Sequence, residues 1–208
     1  NSGICLENSS GNTISGNVFE YEVNGIYLFN STNNLIRDNR INLEFYESQG
    51  IHLENSSGNT ISFNILNSNS NGIYLENSNN NLISENNLTN NYENGIICDF
   101  SSENTISNNT VDSNTNNGIY LRNSVNNLIS ENEIYRNFYA INLENSSENT
   151  ISKNIIDSKY YEIYPLGTPT GFGIYSKTSN NNNIIENQVT YNCYGIDIED
   201  SEGNILLE

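Results

Sequence analysis

The sequence predicts a right-handed parallel β-helix of about nine coils, an all-β single-stranded solenoid filling one domain over residues 1–208. Three observations predict it. The string Gly-Ile-x-Leu, or a degenerate copy, starts at Gly3, Gly25, Gly50, Gly72, Gly95, Gly118, Ala140, Gly173 and Gly195, at spacings of 22, 25, 22, 23, 23, 22, 33 and 22 residues. A second motif, Asn-x-Ile-x-x-Asn, follows in each coil, with its first Asn at Asn12, Asn34, Asn59, Asn81, Asn104, Asn127, Asn149 and Asn182. Apolar residues alternate with polar ones at period two, and no segment shows a helical period.

Each coil reads as three short strands joined by polar turns. The first holds a pair such as Ile73 and Leu75, the second one Ile such as Ile83, and the third another apolar residue such as Leu88. One coil cannot bury its apolar side, but stacked coils bury a continuous column. Equivalent residues then stack about 4.8 Å apart. The inner column runs Ile4, Ile26, Ile51, Ile73, Ile96, Ile119, Ile141, Ile174 and Ile196. An Asn column (Asn17, Asn39, Asn64, Asn86, Asn109, Asn132, Asn154, Asn187) and a Ser column running from Ser9 to Ser201 are read as structural ladders that satisfy turn backbone. Coils of this length argue for the right-handed form, since the left-handed one is built on hexapeptides. Inserted turns are expected at about 43–49 and 157–171, both just before a first strand.

Composition alone would suggest disorder: hydrophobic residues are 35%, Asn numbers 47, and Trp and Met are missing. The strict register overrides that reading. A net charge of −18 repels phosphate backbones and anionic lipid, so nucleic-acid partners are not expected. No apolar run is long enough to insert in a membrane. Cys5, Cys98 and Cys193 fall too many rungs apart for an intrachain disulfide, and Cys98 takes a core slot usually held by Leu. The chain opens on a first strand and stops on a second, with no capping helix in the pattern. It is therefore read as a segment of a longer protein, or as a unit that self-associates head to tail through uncapped ends.

The repeats NGIYLENS (residues 71–78) and NTISNN (residues 104–109) resemble those of NosD-like and related carbohydrate-binding and sugar-hydrolase β-helix domains, and most of all those of methanogenic archaeal surface proteins. The resemblance covers the whole chain and implies an extracellular or cell-surface place. It also brings a copper-binding label, which the residues do not support: there is one His, no Met and no clustered Cys.

Function is sought on the outward columns of the first strand. One carries Tyr27, His52, Tyr74, Ile97, Tyr120 and Tyr175, and the next carries Glu54, Glu76, Asp99, Arg122 and Glu144. All 14 tyrosines lie between the end of the third strand and the end of the first. Tyr faces stack on sugar rings and carboxylates bind hydroxyls, so glycans or cell-envelope components are the expected partners. The candidate contacts are Tyr27, Tyr74, Tyr120 and Tyr175, with Tyr161 and Tyr164 from the larger insertion walling the strip. Exposed ladder tyrosines also arise for β-propensity alone. The leading expectation is a non-catalytic structural or adhesive module needing no cofactor. The alternative is a polysaccharide hydrolase or lyase built on Glu54, Glu76, Asp99 and His52, since adjacent rungs bring carboxylates into glycosidase range. Calcium between Glu54, Glu76 and Asp99 is compatible with the ligand type.

Overall fold

The computed structural model describes residues 1–158 and 171–208. They form three parallel sheets and no helix. The first and second sheets have nine strands each and the third has eight, every strand pairing with its counterpart one coil away. This is the parallel β-helix that the repeat predicts. The register is residue for residue: Ile73 faces Ile51 on one side and Ile96 on the other, and Ile83 lies between Ile61 and Ile106.

First strands run six residues, as in Asn71–Glu76, whereas second and third strands run three, as in Leu82–Ser84 and Asn87–Thr89. The interior is a stack of Ile, Leu and Val, with Cys98 in the Leu column between Leu75 and Leu121. All three cysteines are free thiols. Burial pushes the Cys98 thiol up to about 12, so it behaves as a small hydrophobe.

The corners explain the polar composition. Residues following the first strand sit in the left-handed region, with φ of 47° at Asn77 and 50° at Asn123. Asn tolerates that conformation better than other residues with a side chain. Phe100 holds the equivalent corner at φ of 47°, and Phe63 the corner after a second strand at φ of 55°, both without that advantage. Buried Asn side chains then close the turns. Asn86 donates from Nδ2 to Asn109 Oδ1 (3.0 Å), to the Ile61 carbonyl of the preceding coil (2.9 Å) and to the Ser84 carbonyl (3.0 Å). Ser101 continues the Ser ladder, accepting at Oγ from the Ser78 amide at 2.9 Å. A further buried Asn column, Asn69, Asn91, Asn114 and Asn137, braces the turn before the first strand. Glycine opens eight of the nine first strands, Ala140 taking its place in the other, and space is tight there: a Cβ on Gly95 would lie 2.6 Å from both the Gly118 carbonyl oxygen and Val111.

Candidate functional site

The long first strands make the broadest flat face, and their outward residues form the columns expected from the repeat. On the N-terminal half, Tyr27, His52 and Tyr74 form a row of adjoining rings, Tyr27 tilted against His52 and His52 stacked on Tyr74. The ring centroids of Tyr27 and His52 are 5.1 Å apart, and His52 and Tyr74 lie 4.8 Å apart and 8° from parallel. The tyrosine hydroxyls reach one coil on and two residues along. Tyr27 donates to Glu54 at 2.5 Å, Tyr120 to Glu144, and Tyr175 to Glu199 at 2.9 Å. By the same rule Tyr74 would reach Asp99. Asp99 is instead buried and held by Arg122, whose Nε donates to one carboxylate oxygen at 2.9 Å and whose Nη2 donates to the other at 2.5 Å. Among the described residues the Tyr74 hydroxyl therefore has no hydrogen-bond partner.

His52, Glu54 and Glu76 converge, with their nearest ligand atoms within 4.8 Å of one another. Burial lowers the His52 pKa against a smaller opposing pull from Glu54, so the imidazole is neutral near pH 7. Its Nε2 is buried, without a hydrogen bond, 3.6 Å from a Glu76 oxygen. A neutral ring makes that contact something other than an ion pair at neutral pH. Glu76 is held above its ordinary value by burial first, then by the charges of Glu54 and Asp99.

At Ile97 the aromatic column is interrupted. Ile97 pairs in register with Tyr74 below and Tyr120 above, and the missing ring opens a cleft of about 300 Å³. Tyr74, Tyr120, Arg122, Glu93, Asn94 and Asn117 are among its walls. Asn94 and Asn117 belong to a largely buried column just before the repeat glycine, linked amide to amide and lining the cleft. Asn94 donates to Asn71 at 2.7 Å and Asn117 to Asn94 at 2.7 Å, while Asn142, from the tyrosine column one coil on, donates to Asn117 at 3.0 Å. In later coils this column turns aromatic. Tyr139 and Phe172 stack at 4.8 Å, and Phe172 and Tyr194 at 5.0 Å, with Tyr175 5.3 Å from Tyr139. The shorter insertion lies on this edge, and its Tyr46 stacks on Tyr92 at 5.6 Å, next in sequence to Glu93.

Of the expected site residues, Tyr27, His52, Tyr74, Glu54 and Glu76 form one contiguous group, with Asp99 beside it but committed to Arg122. Tyr120 lies across the cleft and Tyr175 further along the face. Tyr161 and Tyr164 lie outside the described residues. Sequence reasoning passed over Asn94, Asn117, Tyr139 and Phe172, although aligning the residue before each repeat glycine shows the column and its change from Asn to aromatic. It also placed Ile97 in the tyrosine column without reading it as a gap.

The family model described as "Periplasmic copper-binding protein (NosD)" matches residues 1–165. The chain belongs to the NosD family. Solved structures show the same fold at low identity. The periplasmic alginate epimerase AlgG matches with a TM-score of 0.61 and 19% identity over 90% of this chain and 50% of that one. DFA-IIIase from Arthrobacter chlorophenolicus A6 in complex with GF2 matches with a TM-score of 0.71 and 18% identity over 93% and 54%. The Dettilon tailspike protein matches with a TM-score of 0.65 and 18% identity over 84% and 42%. This NosD-family chain thus spans about half the length of these structures. The comparison with curated proteins yields no match.

The copper in the family description can be tested against the donors present. Copper sites draw on several imidazoles or on soft sulfur. His52 is the single histidine, and its neighbours are two hard carboxylates. Cys98 is sealed in the core, while Cys5 and Cys193 are exposed in the first and last coils. This donor set does not fit a copper site.

Proposed function

We propose that this NosD-family chain is a non-catalytic β-helix module of the cell envelope that binds glycans along its first sheet. The observation that carries the reading is the concentration, among the described residues, of stacked aromatic rings on one flat face and its edge, bordered by carboxylates and side-chain amides. Ring faces supply the apolar contact that pyranose C–H groups need, and the amides and carboxylates supply partners for hydroxyls. A rigid solenoid holds these groups at one-rung spacing, so little ordering entropy is lost on binding. The periplasmic family description supports an envelope location. An alginate epimerase and a tailspike among the structural neighbours are consistent with glycan partners. On a glycan array the wild-type protein is expected to bind, and Tyr74→Ala with Tyr120→Ala is expected to lose about tenfold or more, the scale of one or two aromatic contacts. Binding unchanged in that double variant would remove this face from the reading.

A second reading is favoured by one observation: Glu76 has a raised pKa and lies beside Glu54, the pairing a glycoside hydrolase uses for its acid and its partner carboxylate. Asp99, tied to Arg122, would serve there as a positioning residue. A reducing-end assay on polymers that bind separates the two. Turnover abolished by Glu76→Gln would replace the non-catalytic reading with the enzymatic one.

A further inference from the structure

We infer that the cleft over Ile97 is a slot for a single uncharged pyranose ring, held between Tyr74 and Tyr120, and that it discriminates against uronates. This rests on the glycan-binding reading above and specifies where and what the face binds. The first argument is dimensional. Tyr74 and Tyr120 are separated by one intervening rung, because both pair in register with Ile97. Two rungs of about 4.8 Å put the rings about 9.6 Å apart. Carbon–carbon contacts of about 3.5–4.0 Å on each side leave about 2 Å for atom centres, which suits a puckered saturated ring and no thicker group. The lower face of Tyr74 is already covered by His52, so its free face looks into the slot, over the apolar floor of Ile97.

The second argument is polar. The Tyr74 hydroxyl, lacking a protein partner among the described residues, is available to a ligand hydroxyl. The Asn94 and Asn117 amides spend one N–H each on the ladder and keep the other. Neutral donors and acceptors of this kind match hydroxyl groups. The third argument is charge. Arg122 is the cation among the residues lining the slot, and its fork is closed on Asp99. Glu93 also lines the slot and Glu76 lies two residues beyond Tyr74. A ligand carboxylate would meet anions without an uncommitted lining cation, an arrangement that rejects it.

The test uses the full chain and titrations with hexasaccharides of glucose, mannose and N-acetylglucosamine, against hexasaccharides of mannuronate and galacturonate. Wild type is expected to bind at least one neutral oligomer at least tenfold more tightly than either uronate, with Kd changing less than twofold between 0.05 and 0.5 M NaCl. Ile97→Tyr restores the ring found at Tyr27, Tyr74, Tyr120 and Tyr175, so the fold accepts it while the slot is filled. It is expected to lose tenfold or more in affinity at an unchanged melting temperature. Glycan binding unaffected by Ile97→Tyr, or a preference for uronates, would overturn the slot and leave the glycan-binding face standing. Binding to none of the five oligomers would overturn both.

Discussion

His52 stands in a column where Tyr is the recurrent residue, and its surroundings give it a distinctive titration. Burial between Tyr27 and Tyr74 disfavours the imidazolium and lowers its pKa from 6.5 in the folded chain. The unfolded chain therefore takes up a proton first as pH falls. The stability contribution of neutral His52 is fully present above pH 6.5 and is lost as pH drops from there through the folded value. His52→Tyr removes this dependence. Melting temperatures of the two proteins are expected to run parallel above pH 7 and to diverge below 6.5, with wild type falling faster. Parallel curves down to pH 5 would show that the imidazole is not desolvated as described. Glu76 works in the opposite sense: its raised pKa favours the folded state at low pH and loses that advantage as pH rises through the folded value.

Within an element, the Asn ladder carries more than its exposed polar character in the sequence suggests. Asn109 accepts at Oδ1 from the Asn86 amide (2.9 Å) and from Asn86 Nδ2 (3.0 Å), and donates from Nδ2 to the Ile83 and Ser107 carbonyls and to Asn132 Oδ1, each at 3.0 Å. Truncation leaves buried donors and acceptors on two neighbouring coils unsatisfied, at roughly 1–3 kcal/mol for each stranded group. Asn109→Ala is expected to destabilise the chain by about 3 kcal/mol or more in urea denaturation. A loss below about 1 kcal/mol would mean that water replaces the ladder. Ladder and core are both legible from periodicity, because a repeat that stacks in register repeats its needs. The column from Asn71 to Asn117 and on to Phe172 is less legible, because its residue type changes midway and breaks the pattern that reveals the others.

Taken whole, the molecule is a stack of like-charged coils. With 25 acidic and 7 basic side chains, carboxylates such as Glu54 and Glu76 lie on neighbouring rungs. The Debye length falls from about 10 Å at 0.1 M salt to about 3 Å at 1 M, shorter than the rung spacing. Raising NaCl from 0.05 to 1 M is therefore expected to raise the melting temperature, followed by circular dichroism; a fall would show that ion pairs outweigh the repulsion. The sequence by itself determined the solenoid, its coil boundaries, its inward and outward columns and the side on which tyrosines collect, because a one-dimensional repeat maps directly onto a one-dimensional stack. Only the tertiary structure decided which of those groups are free. That Arg122 closes on Asp99, that the Tyr74 hydroxyl has no partner among the described residues and that Ile97 opens a gap between two rings all depend on side chains reaching across coils. Such reach is set by rotamers and by competition for partners, which periodicity does not encode.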